Sequence, residues 1–243
     1  MTTEPATTAS GMRGWPAALP ADRLLVDVSL WSGDLTALGA EVDRISPIAD
    51  VLHFDVTDGT FGSELMFSPA MIAAVRPRTA VPFHAHVAAY RPAALIDAVA
   101  AAGADLITVQ VEADDAVRAL RRIREHRKAA GLALGVDTRA IAARPHLDAV
   151  DALVLVGTPG AASETQLTLA ALRRVEAARS LLEATGHQGT VRLLAEGGVR
   201  GRTIRSLSAA GVDGLVTDLP VRSPDPAATG QWLHSHSRPS PAR

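Results

Sequence analysis

Residues 101–109, AAGADLITV, and residues 209–217, AAGVDGLVT, repeat one pattern: the small residues of a helix end, a glycine, an acidic residue and a short apolar strand. Residues 45–54, ISPIADVLHF, are a looser version of the same phrase. Working outward, short apolar runs recur at Leu24–Val28, Val51–Asp55, Val81–Val87, Leu106–Val111, Leu132–Val136, Ala152–Val156, Val191–Ala195 and Gly214–Thr217. Such nearly continuous runs are what parallel strands covered on both faces require. Helix-like segments lie between them. Asp34–Ser46 carries Leu35, Leu38, Val42 and Ile45 at helical spacing, and Pro92–Ala102 has Pro92 in its first turn and Gly103 just past its end. Eight strands alternating with helices predict an α/β fold, the (β/α)₈ or TIM barrel. An open doubly wound sheet is the alternative, disfavoured because no strand is followed by a GxGxxG turn.

Composition agrees with one large domain. The chain has 243 residues, 47% of them hydrophobic and 21% charged, enough for a sizeable core. Aromatic residues make up only 3%, so Ala, Val and Leu must fill that core. A formal net charge of −2 gives no electrostatic reason to expect a nucleic-acid partner, and the basic run 118–128, RALRRIREHRK, reads as a solvated helix face. No apolar run approaches the roughly 18 to 20 residues of a membrane span. Cysteine is absent, which excludes disulfides, thiolate metal sites, iron–sulfur clusters and a cysteine nucleophile. Lys128 is the only lysine and falls in EHRKAAG, read as helical, which disfavours a lysine-dependent aldolase. Residues 1–20 and 223–243 lack a sustained hydrophobic period, so a flexible extension and a flexible tail, or loosely docked ones, are expected around a barrel domain at 21–222. The first residues show neither a basic stretch nor an apolar core of the kind a secretory signal carries, and a cytoplasmic location is expected.

In a barrel the active site lies at the C-terminal ends of the strands. There the sequence places Ser29 (VDVSLWSGD), His53 and Asp55 (VLHFDVTDG), His84 and His86 (PFHAHV), Gln110 and Glu112, Asp137, and Glu196-Gly197-Gly198. Residues i and i+2 of a strand share a face, so His53 points with Asp55 and His84 with His86. If His53, Asp55 and His86 face the mouth with Glu196 opposite, two imidazoles and two carboxylates form a seat for a divalent zinc, iron, manganese or cobalt ion. Other polar residues have plainer readings. Asp58-Gly59 is a turn, Glu112 and Asp114-Asp115 start a helix, and Asp137 and Arg139 anchor a loop or touch substrate. His126, His146 and His187 are surface groups, and His234 and His236 form a weak metal-like pattern in the tail.

These segments together resemble the ribulose-phosphate 3-epimerase family over roughly Leu24 to Val221. The matching stretches are VSLWSGDLTALGAEV, ADVLHFDVTDGTF with Arg76-Pro77 after it, HAHV, AAGADLITVQVEA, VDALVLV and EGGV, in that order. The resemblance implies a ribulose-phosphate-binding TIM barrel and one divalent metal held by His53, Asp55, His86 and Glu196. It implies Asp55 and Glu196 as the catalytic acid and base. Ser29 would orient the substrate, which Ser29, His86, Gly160, Gly197, Gly198 and Asp218 would surround. The implied reaction is epimerisation beside the ketone of a ketose or ketose phosphate through a metal-stabilised enediolate. That chemistry needs a carboxyl group on each face of the carbon, one to take the proton and one to return it. A sugar or sugar-phosphate substrate and a homo-oligomer are implied as partners.

Departures from the family pattern are specific. Glu196 stands where an aspartate is usual, moving the carboxylate by up to about 1.5 Å. His84 replaces an aspartate, and Gln110 a histidine. The loop 157–166, GTPGAASETQ, keeps Pro159-Gly160 without a glycine run, and TDLPV puts Asp218 and Leu219 where the family carries a Gly-Ser pair at its phosphate site. Arg200 and Arg202 are candidates to restore positive charge there, though helix-start residues are the plainer reading. Three alternatives therefore stand beside the sugar-phosphate epimerase: a non-phosphorylated substrate, a metal-dependent lyase or aldolase, and a degenerate ligand-binding barrel.

Overall fold

A computed structural model describes residues 19–157 and 168–237. Eight parallel strands close into a barrel in chain order: β1 (Leu25–Ser29), β2 (Val51–Thr57), β3 (Phe83–Ala88), β4 (Leu106–Gln110), β5 (Ala129–Leu134), β6 (Ala152–Val156), β7 (Arg192–Glu196) and β8 (Gly214–Thr217). The helices around it are α1 (Leu38–Ile45), α2 (Pro69–Val75), α3 (Ile96–Ala101), α4 (Ala116–Glu125), α5 (Leu169–Ala184), α6 (Ile204–Ala209), α7 (Leu219–Arg222) and α8 (Pro226–His234). A 3₁₀ run, Ala140–Ala149, covers the crossover from β5 to β6, where Pro145 leaves no N–H to donate to an α-helical ladder. Among the described residues no helix is long and apolar enough to cross a membrane.

Two cores follow from the strand alternation. Outward residues such as Val26, Phe54, Val87, Ile107, Leu132, Leu153 and Leu193 pack under the helices in one large cluster. The helices supply matching stripes: Leu38, Val42 and Ile45 of α1, and Ala116, Ala119, Leu120 and Ile123 of α4, whose Arg118, Arg121 and Arg122 are exposed. Inward residues form a second, smaller core of Leu25, Val51, Ala133, Val154 and Leu194, with Leu19 against it. Above that layer the interior becomes polar, with Asp27, His53, His84 and Thr108 all fully buried. Gly131 of β5 faces the same layer, where an added Cβ would collide with Thr108 Oγ1.

The repeated phrase of the sequence has a physical meaning. Gly103 (φ 100°) and Gly211 (φ 103°) end α3 and α6 in the left-handed region that glycine enters without strain. The acidic residue that follows ties neighbouring strands together at the N-terminal end of the barrel. Asp50 Oδ2 accepts from Val26 N at 2.9 Å, Asp105 Oδ2 from Phe83 N at 2.9 Å, Asp151 Oδ2 from Ala130 N at 2.9 Å and Asp213 Oδ2 from Leu193 N at 2.7 Å. Each is paired with an arginine: Arg23, Arg76, Arg124 and Arg179 respectively. One aspartate before every even-numbered strand thus caps the odd-numbered strand before it.

Three sequence readings are corrected. β5 begins at Ala129, three residues before the expected run, because α4 stops at Glu125 and Arg127 turns the chain at φ 56°. Lys128 consequently lies at the N-terminal entry to β5, not in a helix. Second, part of the expected C-terminal tail is ordered against the barrel. Asp225 caps α8, Pro226 opens it, Leu233 is buried, and Gly230 sits where a Cβ would press on Ile48. Third, Asp137 lies past the end of β5 at Leu134 rather than closing it. The expected N-terminal extension lies outside the described residues except for its last two positions, and Gly160 lies outside them altogether.

Candidate active site

Strand register sets the heights of the site residues. Ser29 stands beside His53, His53 beside His84, and Asp55 beside His86, so β1, β2 and β3 lift their inward groups in steps toward the mouth. Glu196 is the last residue of β7, and its carbonyl accepts from Gly157 N at 2.7 Å, which anchors the strand end. Two left-handed glycines, Gly197 (φ 78°) and Gly198 (φ 67°), then turn the chain away.

His53, Asp55, His86 and Glu196 converge. His53 Nε2 is 3.2 Å from Asp55 Oδ1, and His86 Nδ1 lies 3.5 Å from Asp55 Oδ1 and 3.2 Å from Glu196 Oε2. One ligand atom from each of the four lies within 4.8 Å of the others. The cluster has unmet bonding capacity: His86 Nδ1 and Glu196 Oε2 are buried, and neither makes a hydrogen bond. A ring nitrogen and a carboxylate oxygen buried without a hydrogen bond are costly unless a proton or a metal cation supplies positive charge between them. Two imidazoles and two carboxylates suit a borderline divalent cation by donor chemistry. Glu196 reaches the cluster despite its extra methylene.

Electrostatics follow the same geometry. Burial works against a charged His53 and is outweighed by the carboxylates of Asp55 and Asp27, which hold its pKa well above the ordinary imidazole value. For His86, burial is again outweighed, chiefly by Glu196 and Asp55, and the pKa rises to about 9. Burial alone would raise Asp55, and the neighbouring His53 and His86 instead hold it far below the usual carboxylate range.

Beneath the four lies a layer that reading along the strands missed. Asp27 Oδ2 faces His84 Nδ1 at 2.5 Å and His53 Nδ1 at 3.4 Å, and Thr108 Oγ1 stands 2.8 Å from His84 Nε2. Asp27 sits in VDVS as the inward residue between Leu25 and Ser29, and that period of two was the available signal. It backs His53 as a carboxylate backs a metal-ligating histidine, orienting the ring through its far nitrogen. Gln110 Nε2 stands 2.9 Å from His86 Nε2, where an amide N–H donates rather than accepts, while Gln110 Oε1 is buried without a partner.

The remaining sequence candidates are dispersed. Ser29 is half-buried at the top of β1. Asp218 is taken up by Ser32 and Arg222, at 2.7 and 2.5 Å. Asp58 organises the turn after β2, accepting from Thr60 N and Phe61 N, and Glu112 accepts from Gly135 N. His126 and His187 pair with Asp97 and Asp148 on the outside. His234 faces Asp50 at the opposite end of the barrel while His236 packs on Trp232, so the tail histidines do not form a metal group.

Comparison with known proteins agrees with the barrel fold. A protein-family model described as the ribulose-phosphate 3 epimerase family matches residues 25–221. Relatives include ribulose-phosphate 3-epimerase 2 of Cupriavidus necator, 34% identical over 198 residues, covering 79% of this chain and 82% of that protein. Ribulose-phosphate 3-epimerase of Chlamydia pneumoniae is 30% identical over 199 residues, covering 81% and 86%. Among solved structures, a 3-hexulose-6-phosphate synthase superposes with a TM-score of 0.62 at 21% identity, covering 88% of this chain and 98% of that one. A 3-keto-L-gulonate-6-phosphate decarboxylase from Vibrio cholerae gives 0.67 at 15%, covering 87% and 95%. At these identities the structures show the shared barrel alone.

Proposed function

The chain belongs to the ribulose-phosphate 3-epimerase family, isomerases that act on carbohydrates, and on that premise we propose that it inverts the carbon beside the ketone of a ketose or ketose phosphate, with Asp55 and Glu196 exchanging the proton. The observation that carries this is the convergence of two carboxylates from non-adjacent strands on one imidazole, His86 Nδ1. Epimerisation requires a base on one face of the carbon and an acid on the other. Carboxylates on β2 and β7 can flank a bound substrate from two sides. Asp55 Oδ1 is turned to the two histidines, which leaves Oδ2 for the proton, and Glu196 Oε1 is the corresponding atom across the site. Ser29, at the level of His53, would hold a substrate hydroxyl.

His53, Asp55, His86 and Glu196 would hold a divalent cation, supported by the unmet capacity of His86 Nδ1 and Glu196 Oε2. Bound there, it would supply fixed positive charge where negative charge develops as the proton leaves. Asp27 and Gln110 keep the two imidazoles aimed at that place from behind. Lysine-based lyase chemistry has no residue here, since Lys128 lies at the other end of the barrel.

The test is solvent deuterium uptake at the carbon beside the ketone, followed by proton NMR on metal-replete protein with ketoses and ketose phosphates. Exchange with appearance of the epimer is expected, and Glu196→Gln should abolish it. Exchange that persists in Glu196→Gln would overturn the two-carboxylate mechanism.

A further inference from the structure

Beneath the four converging residues, Asp27, His53 and His84 form a second group whose ligand atoms lie within 4.8 Å of one another. All three are 0% exposed, and neither Asp27 nor His84 takes part in the proton exchange. His53 belongs to both groups through different nitrogens. Its Nε2 is 3.2 Å from Asp55 Oδ1, while its Nδ1 is 3.1 Å from His84 Nδ1 and 3.4 Å from Asp27 Oδ2. Asp27 Oδ2 and His84 Nδ1, 2.5 Å apart, close the triangle.

Protons alone do not satisfy this triangle. His84 Nδ1–H donates to Asp27 Oδ2, which leaves His53 Nδ1 facing both groups. A proton on His53 Nδ1 would oppose the His84 N–H, and a lone pair there would oppose the carboxylate. Asp27 Oδ1, the second oxygen, is buried with no hydrogen bond among the described residues. One cation removes each conflict, because two ring nitrogens and a carboxylate can all direct lone pairs at it. Donor atoms around a tetrahedral ion with bonds of about 2.0–2.1 Å stand roughly 3.3 Å apart, near two of the three separations in the triangle.

The surroundings suit a ligating ring. Thr108 Oγ1 stands 2.8 Å from His84 Nε2, and Gly131 leaves that hydroxyl room, since a Cβ there would collide with it. With an ion on His84 Nδ1 the ring proton moves to Nε2, and the Thr108 hydroxyl accepts it. This is the outer contact that fixes a metal-bound imidazole. Charge balances as well. Asp27, Asp55 and Glu196, with an imidazolate at His53, neutralise two divalent ions. A single ion leaves the sheltered set one charge negative unless a ring takes a further proton.

We propose that Asp27, His53 and His84 form a second, wholly buried divalent-cation site, bridged by the His53 imidazolate to the ion of the four-residue site. On loading, His53 gives its last ring proton to solvent and binds one ion through each nitrogen. Zinc fits the donor set, and with every ligand supplied from inside the barrel the site is structural, not catalytic. The ion would pin β1, β2 and β3 together below the mouth.

The experiment is metal analysis of the full chain after zinc loading and desalting, with anomalous scattering at the zinc edge from crystals of the same protein. Wild type is expected to hold two zinc ions per chain and His84→Leu one. The scattering should place the second ion among Asp27, His53 and His84. Two ions retained in His84→Leu overturn the proposal by putting the second ion elsewhere. A single ion at the four-residue site overturns it too, and leaves the epimerase reading intact. Both ions in place without deuterium uptake from any ketose or ketose phosphate does the reverse. Scattering from wild type decides the matter even if His84→Leu fails to fold.

Discussion

Asp27 Oδ2 stands 2.5 Å from His84 Nδ1 in a layer of the barrel that solvent does not reach, directly beneath the four converging site residues. His84 Nδ1–H donates to that oxygen, and His84 Nε2 accepts from the Thr108 hydroxyl at 2.8 Å. This assignment uses one donor and one acceptor, as a neutral imidazole has. Burial agrees by pushing the pKa of His84 down, although Asp27 pulls the other way. The same Asp27 oxygen also faces His53 Nδ1 at 3.4 Å, so one carboxylate orients two rings.

Acid stability should report on Asp27. Burial alone would raise its pKa, and His84 and His53 outweigh that to hold it at about 2. Its folded value lies below its unfolded value, so its contribution is complete above the unfolded pKa and is lost as pH falls through the folded one. In Asp27→Asn that contribution is missing at every pH. The difference in unfolding free energy between metal-free wild type and variant should therefore shrink by roughly 2 kcal/mol between about pH 5 and pH 2. Denaturant unfolding at several pH values measures it, and a difference that stays constant would show that the Asp27 carboxylate is not stabilised by its neighbours.

Cation binding should release protons. His86 titrates at about 9 because Glu196 and Asp55 outweigh its burial, and His53 is raised as well. Near pH 7 the His86 ring therefore carries both its protons in the metal-free site, and a cation that takes its Nδ1 must displace one. Calorimetry in buffers of different ionisation enthalpy should detect one to two protons released per ion. Affinity should fall as pH is lowered, by about tenfold per unit for each proton displaced. Binding enthalpies independent of the buffer would contradict this.

Gln110 should set metal affinity without touching the metal. With His86 Nδ1 on a cation, His86 Nε2 carries the proton and needs an acceptor. A half turn of the amide brings the unpartnered Gln110 Oε1 into the position 2.9 Å away that Nε2 now occupies. Gln110→Met removes the acceptor and should weaken metal binding about 10- to 100-fold in a competition titration with a chelating indicator. Gln110→Glu keeps an acceptor and should retain the affinity. Equal loss in both variants would point to packing instead of orientation.

The barrel was legible in its eight apolar runs. The shared faces of His53 with Asp55 and of His84 with His86 were legible because strand alternation is local, whatever the rest of the chain does. Glu196 entered through its place at a strand end and through the resemblance. Asp27 and Thr108 escaped notice because their partner, His84, comes from a strand separated by tens of residues and meets them only when the barrel closes. The start of β5 was misplaced because KAAGLAL has no break in composition, and Arg127 in the left-handed region carries no sequence signature as a glycine would. Helix α8 was missed because Gly230 and Leu233 supply the buried surface, too few apolar residues to show a period.

The aspartates at the other end of the barrel should govern stability without governing catalysis. Asp151 is 2% exposed, accepts from Ala130 N at 2.9 Å and pairs with Arg124 Nη1 at 2.5 Å. Asp151→Ala strands a buried N–H and removes the partner of a partly buried guanidinium, together a cost of about 2–4 kcal/mol. Asp151→Asn keeps an acceptor for Ala130 N and loses only the charge, so it should cost about half as much. Chemical denaturation gives both values. Metal affinity and turnover per folded molecule should match wild type, because the strand-end tie lies at the N-terminal end of β5 and β6 while His86, Asp55 and Glu196 lie at the C-terminal ends of β3, β2 and β7. A variant that folds as stably as wild type would show that the strand-end tie contributes nothing. One that folds but loses metal would show that the two ends of the barrel are coupled.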